Sequence, residues 1–354
     1  MTTRAFAFYR LPHQCDIHMV RQGVDAMDAL AHGTVGDMLN RERGFVIAPF
    51  CVTADYPVLL IHPDEEQTVT ADNGADLLTR WYEETVGIEA SAAMVCPQAD
   101  KQGREAYTEA FAQCHDQVSA GRFRKIVLAR QDFFRDTKTH PVALFLQACR
   151  RYPRMFISLF FAPLSGLWLT ATPELLIERD DQSWHTVALA GTMRKEGVWT
   201  EKNIGEQRIV AEYVARQLSD VAQQVEETGP ATVEAAHLLH LRTDFRFSLR
   251  DEVSVGAVVS ALHPTPAVCG LPKEEARAFI LSHEPCRRYY SGFAGPWRLD
   301  AGSHLFVSLR CMTRRHDGWL LFAGGGIVTD STEASEWAET EEKLLTMRRL
   351  FPIE

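Results

Sequence analysis

The feature that most constrains the fold of this chain is the way its apolar segments follow one another. Residues 125–130, 155–161, 166–170, 186–190, 304–312 and 319–328 are short runs of apolar residues, and each reads as a β-strand. They arrive in succession and do not alternate strictly with helical patterns. A doubly wound parallel sheet needs that alternation, so an α+β architecture with antiparallel or mixed sheets is expected instead. Helical patterns are confined to residues 75–86, 103–120 with Gly121 as a stop, 200–225 and 335–350. The last two open on Thr200 and Ser335, hydroxyl residues suited to capping free amide groups. Two earlier strands, 45–47 and 58–61, belong to an N-terminal part with sparser signals.

None of these runs approaches the ~18 consecutive apolar residues that a membrane span requires. Met1 to Arg10 lack the basic, apolar and small-residue succession of a secretory signal, so a cytoplasmic location is expected. The 354 residues carry 37 Lys+Arg against 47 Asp+Glu, a formal charge of −10. Partners that attract by clustered cationic charge, namely nucleic acid and anionic lipid, are therefore not expected. Eight cysteines (Cys15, Cys51, Cys96, Cys114, Cys149, Cys269, Cys286, Cys311) include no Cys-x-x-Cys pair, which fits reduced, mostly buried thiols.

Two helical stripes carry acids where a core should be. On the helix from Thr200, Val210, Tyr213, Val214 and Leu218 trace one face, and four residues before Val210 stands Glu206. A buried carboxylate needs a cation, a proton or water. On the C-terminal helix Glu336, Glu339 and Lys343 share a face that continues to Met347 and Leu350. Acids near a helix N-terminus are also favoured by its dipole, so each stripe has a plain structural explanation. Two helices offering carboxylates together nevertheless match what Mg2+ takes, a few carboxylates plus water and substrate oxygens. The run Gly324-Gly-Gly326 lacks the spacing of a phosphate-binding or dinucleotide loop. It offers bare backbone for close approach, as do Gly191-Thr192 and Cys269-Gly270.

Read together, eight segments resemble the chorismate-utilising enzymes, the family of isochorismate, salicylate, anthranilate and aminodeoxychorismate synthases. They are Lys125-Ile-Val-Leu-Ala-Arg130, Thr172-Pro-Glu174-Leu-Leu, Leu189-Ala-Gly-Thr192, Glu206 with Arg208-Ile-Val210, His263-Pro-Thr-Pro-Ala-Val-Cys-Gly-Leu-Pro272, Tyr289-Tyr290-Ser-Gly292, Val307-Ser-Leu-Arg310, and residues 321–343 from Leu321 through Glu336 and Glu339 to Lys343. Their order is the family's order. The resemblance implies an α+β fold of large antiparallel sheets packed together with helices outside. It implies one compact domain, 1–354, with a variable N-terminal part, 1–96, and a chorismate-binding core, 97–354, after the polar stretch 97–105.

The resemblance also implies a site. Lys125 matches the family's water-activating base and Glu174 its general acid, which requires a depressed pKa for the lysine and a protonated carboxyl for the acid. Glu206 and Glu339, with Glu336 close by, match Mg2+ ligands. Arg310, on a strand whose opposite face carries Leu305, Val307 and Leu309, is placed to grip a substrate carboxylate. Tyr290, Gly324, Gly325 and Gly326 assist it, and Gly191, Thr192, His263, Ala267, Gly270 and Lys343 complete the substrate-binding set. The segment around Ala267 resembles the members that add water, isochorismate synthases, more than those that add an amine, which usually carry threonine there. Elimination of pyruvate to give salicylate, and a binding protein without turnover, remain alternatives. Chorismate is thus the expected substrate, handled by a monomer or homodimer without an obligatory protein partner. Asn203 and Gln207 stand where the family usually has an acid and a histidine, which reduces the charge around the metal ligands.

Overall fold

A computed structural model describes residues 5–23, 28–30, 35–93, 103–180 and 183–352. Most of the polar stretch 97–105, and Cys96, lie outside the described residues. The chain begins with β1 (Ala5–Arg10), β2 (Asp16–Gln22), β3 (Asp28–Leu30), α1 (Val35–Arg41), β4 (Gly44–Ala48), β5 (Val58–Ile61), β6 (Glu65–Thr70) and α2 (Ala75–Ala93). It continues through α3 (Arg104–Ser119), β7 (Lys125–Phe134), α4 (Pro141–Arg151), β8 (Phe156–Ala162), β9 (Gly166–Thr172), β10 (Leu175–Arg179) and β11 (Trp184–Arg194). Then come α5 (Glu201–Val221), β12 (Ala222–Ala235), β13 (Leu238–Leu249), α6 (Val255–Leu262), β14 (Gly270–Leu271) and α7 (Lys273–His283). The last elements are β15 (Phe293–Trp297), β16 (Ser303–Val307), β17 (Cys311–Arg315), β18 (Gly318–Ile327) and α8 (Glu333–Arg348).

The strands form two nine-stranded sheets, β14-β7-β18-β17-β9-β8-β1-β2-β6 and β12-β13-β11-β10-β16-β15-β4-β5-β3, and every strand pair is antiparallel. The α+β expectation holds. Both sheets draw strands from residues 1–96 and from the rest of the chain. The two sheets pack face to face on Ala7, Tyr9, Phe45, Phe160 and Phe306. The outer face of the first sheet lies under α2, α4 and α8, and that of the second under α1, α5 and α6. Helices α3 and α7 cover the β7 end. Strands with both faces covered have no polar side, which is why β1, β4, β5 and β8 are buried throughout and are apolar apart from Arg10 and Ser158.

Three expectations change. The helix begun by Thr200, whose hydroxyl caps it as expected, ends at Val221, and Val225 belongs to β12. Strands β12 and β13 form a long hairpin whose polar, exposed first strand lies at the sheet edge, so no apolar alternation marks it. The C-terminal helix is capped by Thr332, with Ser335 donating its backbone amide to that hydroxyl. The expected strand 304–312 is two strands in different sheets, and Arg310 lies between them at φ 46°, in the left-handed region that non-glycine residues seldom adopt. Among the seven described cysteines, all free, Cys114, Cys149, Cys269 and Cys311 are buried.

Candidate active site

The chain crosses between the sheets twice at one place. Between β9 and β10 it crosses through Pro173-Glu174, and between β16 and β17 through Ser308-Leu309-Arg310. The crossings are neighbours, because β9 pairs with β17 and β10 with β16. A backbone hydrogen bond from Val307 to the Glu174 carbonyl (2.9 Å) ties them together. Where both crossings leave their sheets a cleft opens, with about 590 Å³ of space free of protein atoms, open solvent included. Glu174, Gly191, Thr192, Glu206, Ala267, Tyr290, Arg310, Gly324, Gly326 and Lys343 line it. Ten of the residues singled out in the sequence thus meet around one space.

Lys125 opens β7 beneath this cleft, fully buried, with its Nζ 2.9 Å from the Glu206 carboxylate. Glu206 reaches it from α5, continuing the buried stripe of Val210, Val214 and Leu218. Across the cleft Glu174 is buried and accepts a 3.4 Å hydrogen bond from Thr265. Burial pushes its carboxyl up to about 7, against the opposing pull of Lys125, so near neutral pH it is poised between acid and carboxylate.

The glycines of β18 are explained by what presses on them. A Cβ on Gly324 would meet the Tyr290 hydroxyl at 2.8 Å, and one on Gly325 the Glu336 Oε2 at 2.8 Å. A Cβ on Gly326 would collide with Glu206 and Lys125. The expected close approach is therefore made by the protein's own functional groups, from both faces of the strand. Gly191, at φ 72°, marks a bulge in the pairing of β11 with β13. A side chain there would also press on the Asn203 carbonyl at 3.0 Å.

Arg310 is buried and its Nη2 lies 3.1 Å from His240 Nε2, while His240 Nδ1 lies 3.0 Å from the Gly191 carbonyl. Burial, with the charges of Arg310 and Lys343, lowers the His240 pKa to about 3. A neutral ring bonded this way carries its proton on Nδ1, donates it to Gly191 and accepts from Arg310 at Nε2. His240 thus fixes one arm of the guanidinium. The sequence offered no signal for it, since a lone histidine among the leucines of a strand has no motif.

Lys343 donates to the Gly324 carbonyl (2.8 Å) and to Glu339 (2.6 Å). Burial works to raise the Glu339 pKa, yet the bonded Lys343 prevails and lowers it. Glu336 is raised by burial and then by the charge of Glu339, although Lys202 donates to its Oε1. Its Oε2 is buried with no hydrogen-bond partner. Among the described residues no three His, Cys, Asp or Glu side chains are already gathered around a metal position, since each of these acids leans on a lysine. An orphaned buried oxygen beside two further carboxylates, all hard donors, nevertheless fits a small divalent cation.

Besides Lys125, Glu336 and Glu339, three expected residues lie outside the cleft lining. His263 is buried edge-on against Phe293, 5.0 Å between ring centres, and burial lowers its pKa to about 3. Gly270 sits in the pairing of β14 with β7, where a Cβ would meet the Lys125 carbonyl at 2.6 Å. Gly325 faces α8 through its contact with Glu336. Gln207 donates to Thr243 (2.7 Å) and Asn203 closes the capping box of α5, so both polar substitutes are satisfied locally.

Antiparallel sheets thus meet at a cleft lined by Glu174, Glu206, Lys343 and the buried Arg310, with Lys125 paired to Glu206 beneath it. The pattern of the chorismate binding enzymes matches residues 58–351, and the chain belongs to that family. It is 31% identical over 270 residues to isochorismate synthase MenF of Escherichia coli, covering 72% of this chain and 61% of that protein. It is 30% identical over 210 residues to isochorismate synthase EntC of the same organism, covering 55% of this chain and 54% of that protein. The matches thus span little more than half the length of these relatives. The fold is also that of a putative 2,3-dihydroxybenzoate-specific isochorismate synthase, DhbC, from Bacillus anthracis, with TM-score 0.79 and 21% identity over 98% of this chain and 96% of that one.

Proposed function

We propose that the chain converts chorismate to isochorismate, with water entering at ring carbon 2 and the hydroxyl leaving carbon 4. The observation that carries this reading is the Glu174 carboxyl, buried in the cleft with a pKa near 7 and within the field of Lys125. Hydroxide is a poor leaving group, so its departure needs a proton donor on one side of the ring and a base for the incoming water on the other. The Lys125 amine takes a proton from the attacking water, and Glu174 gives its proton to the departing hydroxyl, which leaves as water. Both ring double bonds shift as water adds at carbon 2, from C1–C2 and C5–C6 to C1–C6 and C4–C5, which expels the group on carbon 4, so the product is an isomer of the substrate. Exchange with solvent restores both groups.

Arg310 holds a substrate carboxylate with its free donors, kept in orientation by His240, and Lys343 supplies further positive charge beside Gly324. Glu206, Glu336 and Glu339 are the residues that would hold Mg2+, which when bound neutralises charge on the ring carboxylate. Shared sheets support one catalytic unit in which residues 1–96 complete the framework around the core. We take it to act in the cytoplasm on free chorismate, as a monomer or homodimer, without nucleic acid, membrane or an obligatory partner. The acidic charge supports this, and no helix among the described residues is long and apolar enough to cross a membrane.

Incubation of the purified protein with chorismate and Mg2+, followed by product identification, tests the reading. Isochorismate is the expected product. Salicylate with pyruvate would assign the eliminating reaction instead, and chorismate binding without turnover would make the chain a binding protein.

A further inference from the structure

The acidic trio is matched by three lysines, and they are not equivalent. Lys125, on Glu206, is fully buried. Lys343, on Glu339, is also anchored to the Gly324 carbonyl. Lys202 reaches Glu336 as its sole side-chain hydrogen-bonding contact among the described residues, and its side chain is 19% exposed. It stands one helical turn before Glu206 on α5, so both project toward α8. Beside it lies a second groove with about 850 Å³ of empty space, lined among others by Thr192, Lys202, Asn203, Leu238 and Glu339. Lys202 therefore has somewhere to go.

Glu336 is fully buried, with Ser331 (2.8 Å) and Lys202 on Oε1 and nothing on Oε2. A buried carboxylate without a counter-ion costs several kcal/mol, so the metal-free protein needs Lys202. Once a divalent cation is held among the three acids, ammonium groups still paired with them would leave a surplus of positive charge. Lys202, with that one hydrogen-bonding contact and an open groove beside it, is the group that can withdraw. We infer that Lys202 is a resident counter-ion that competes with the cation for Glu336 and retracts into the groove when the cation binds. The inference rests on the reading of these acids as metal ligands, and it makes metal affinity a property set by a residue that is not itself a ligand.

The test uses Mn2+ as probe, with bound metal measured by electron paramagnetic resonance and melting followed with and without Mn2+. Lys202→Met is expected to bind Mn2+ about tenfold more tightly than wild type, ~1.4 kcal/mol, while melting lower in the absence of metal and regaining the difference when Mn2+ is added. Lys202→Gln, which can still donate to Glu336, should fall between the two. Lys195→Met, which removes a surface lysine paired with Glu234 near the same groove, controls for general charge and should change affinity less than about threefold. Equal or weaker Mn2+ binding by both Lys202 variants would overturn the competition while leaving the metal reading intact. Absence of Mn2+ binding in wild type and all variants would overturn both.

Discussion

Strands β10, β11, β13 and β16 carry two clusters of titratable groups, one at each end, and the contrast between them separates function from architecture. At the cleft end stand Glu174, Gly191, His240 and Arg310. Further along the same strands runs a row from Asp244 through His185 and Glu178 to His304. In the row every charge has an opposite partner: His185 bonds Glu178 at 2.8 Å and Asp244 at 2.7 Å, and His304 bonds Glu178 at 2.9 Å. Burial disfavours ionisation there, yet the hydrogen bonds prevail and hold Glu178 and Asp244 at about 2 and raise His185. In the cleft burial wins instead. Glu174 goes up to about 7, His240 down to about 3, and Arg310 is lowered as well. Paired groups make a clasp, whereas groups left desolvated and incompletely paired are available to a substrate.

Breaking each cluster at its glutamate should give opposite phenotypes. Glu174→Gln is expected to lower kcat by ~10²–10⁴-fold without lowering the melting temperature, because no buried charge loses a partner. Glu178→Gln should leave turnover nearly intact and cost about 1–3 kcal/mol of stability, since His185 and His304 lose the negative charge they share and one of them meets an N–H donor in place of an acceptor oxygen. Steady-state kinetics and thermal melts on the two proteins decide it, and a shared phenotype would erase the distinction. Next in size is Gly326→Ala, whose new methyl group must displace Glu206 or Lys125. A fall in kcat of at least about tenfold with unchanged circular dichroism is expected, as a small misplacement of reacting groups is costly.

The pH responses sharpen the contrast. His185, raised from its ordinary 6.5, stabilises fully below that value, and the contribution fades as pH rises through its folded pKa. Glu178 and Asp244, depressed from 4.5 and 3.8, stabilise above those values and lose their contribution as pH falls toward about 2. The melting difference between wild type and His185→Gln should therefore be largest from about pH 4.5 to 6.5 and shrink on either side. In the cleft, kcat/KM should fall as pH rises through about 7 and Glu174 loses its proton. The smallest effect is that of Thr265→Val. It removes a hydrogen bond that lowers the Glu174 pKa, so the falling limb should move to higher pH by a few tenths of a unit.

The two regions were also unequally legible. The cleft residues sit in motifs of small or charged residues among apolar ones, so Lys125, Glu174, Glu206 and Gly324-Gly-Gly326 stand out from their surroundings. Doubly covered strands announced the sheets as largely apolar runs. Arg310 was visible as a residue but not as a break, because a left-handed residue between apolar strands leaves no mark when it is not glycine. The β12–β13 hairpin was hidden by an exposed edge strand rich in Glu and Gln, and with it went His240, Asp244 and the whole charged row. Lys202 was missed because an ion pair across two helices follows from packing, not from local pattern.

The central claim, that water is added at one carbon while hydroxyl is expelled from another, is tested most directly by a single turnover of chorismate in oxygen-18 water with mass analysis of the isochorismate formed. The account predicts one labelled oxygen in every product molecule. Unlabelled isochorismate would mean that the substrate's own hydroxyl had migrated, and would contradict the roles given to Lys125 and Glu174.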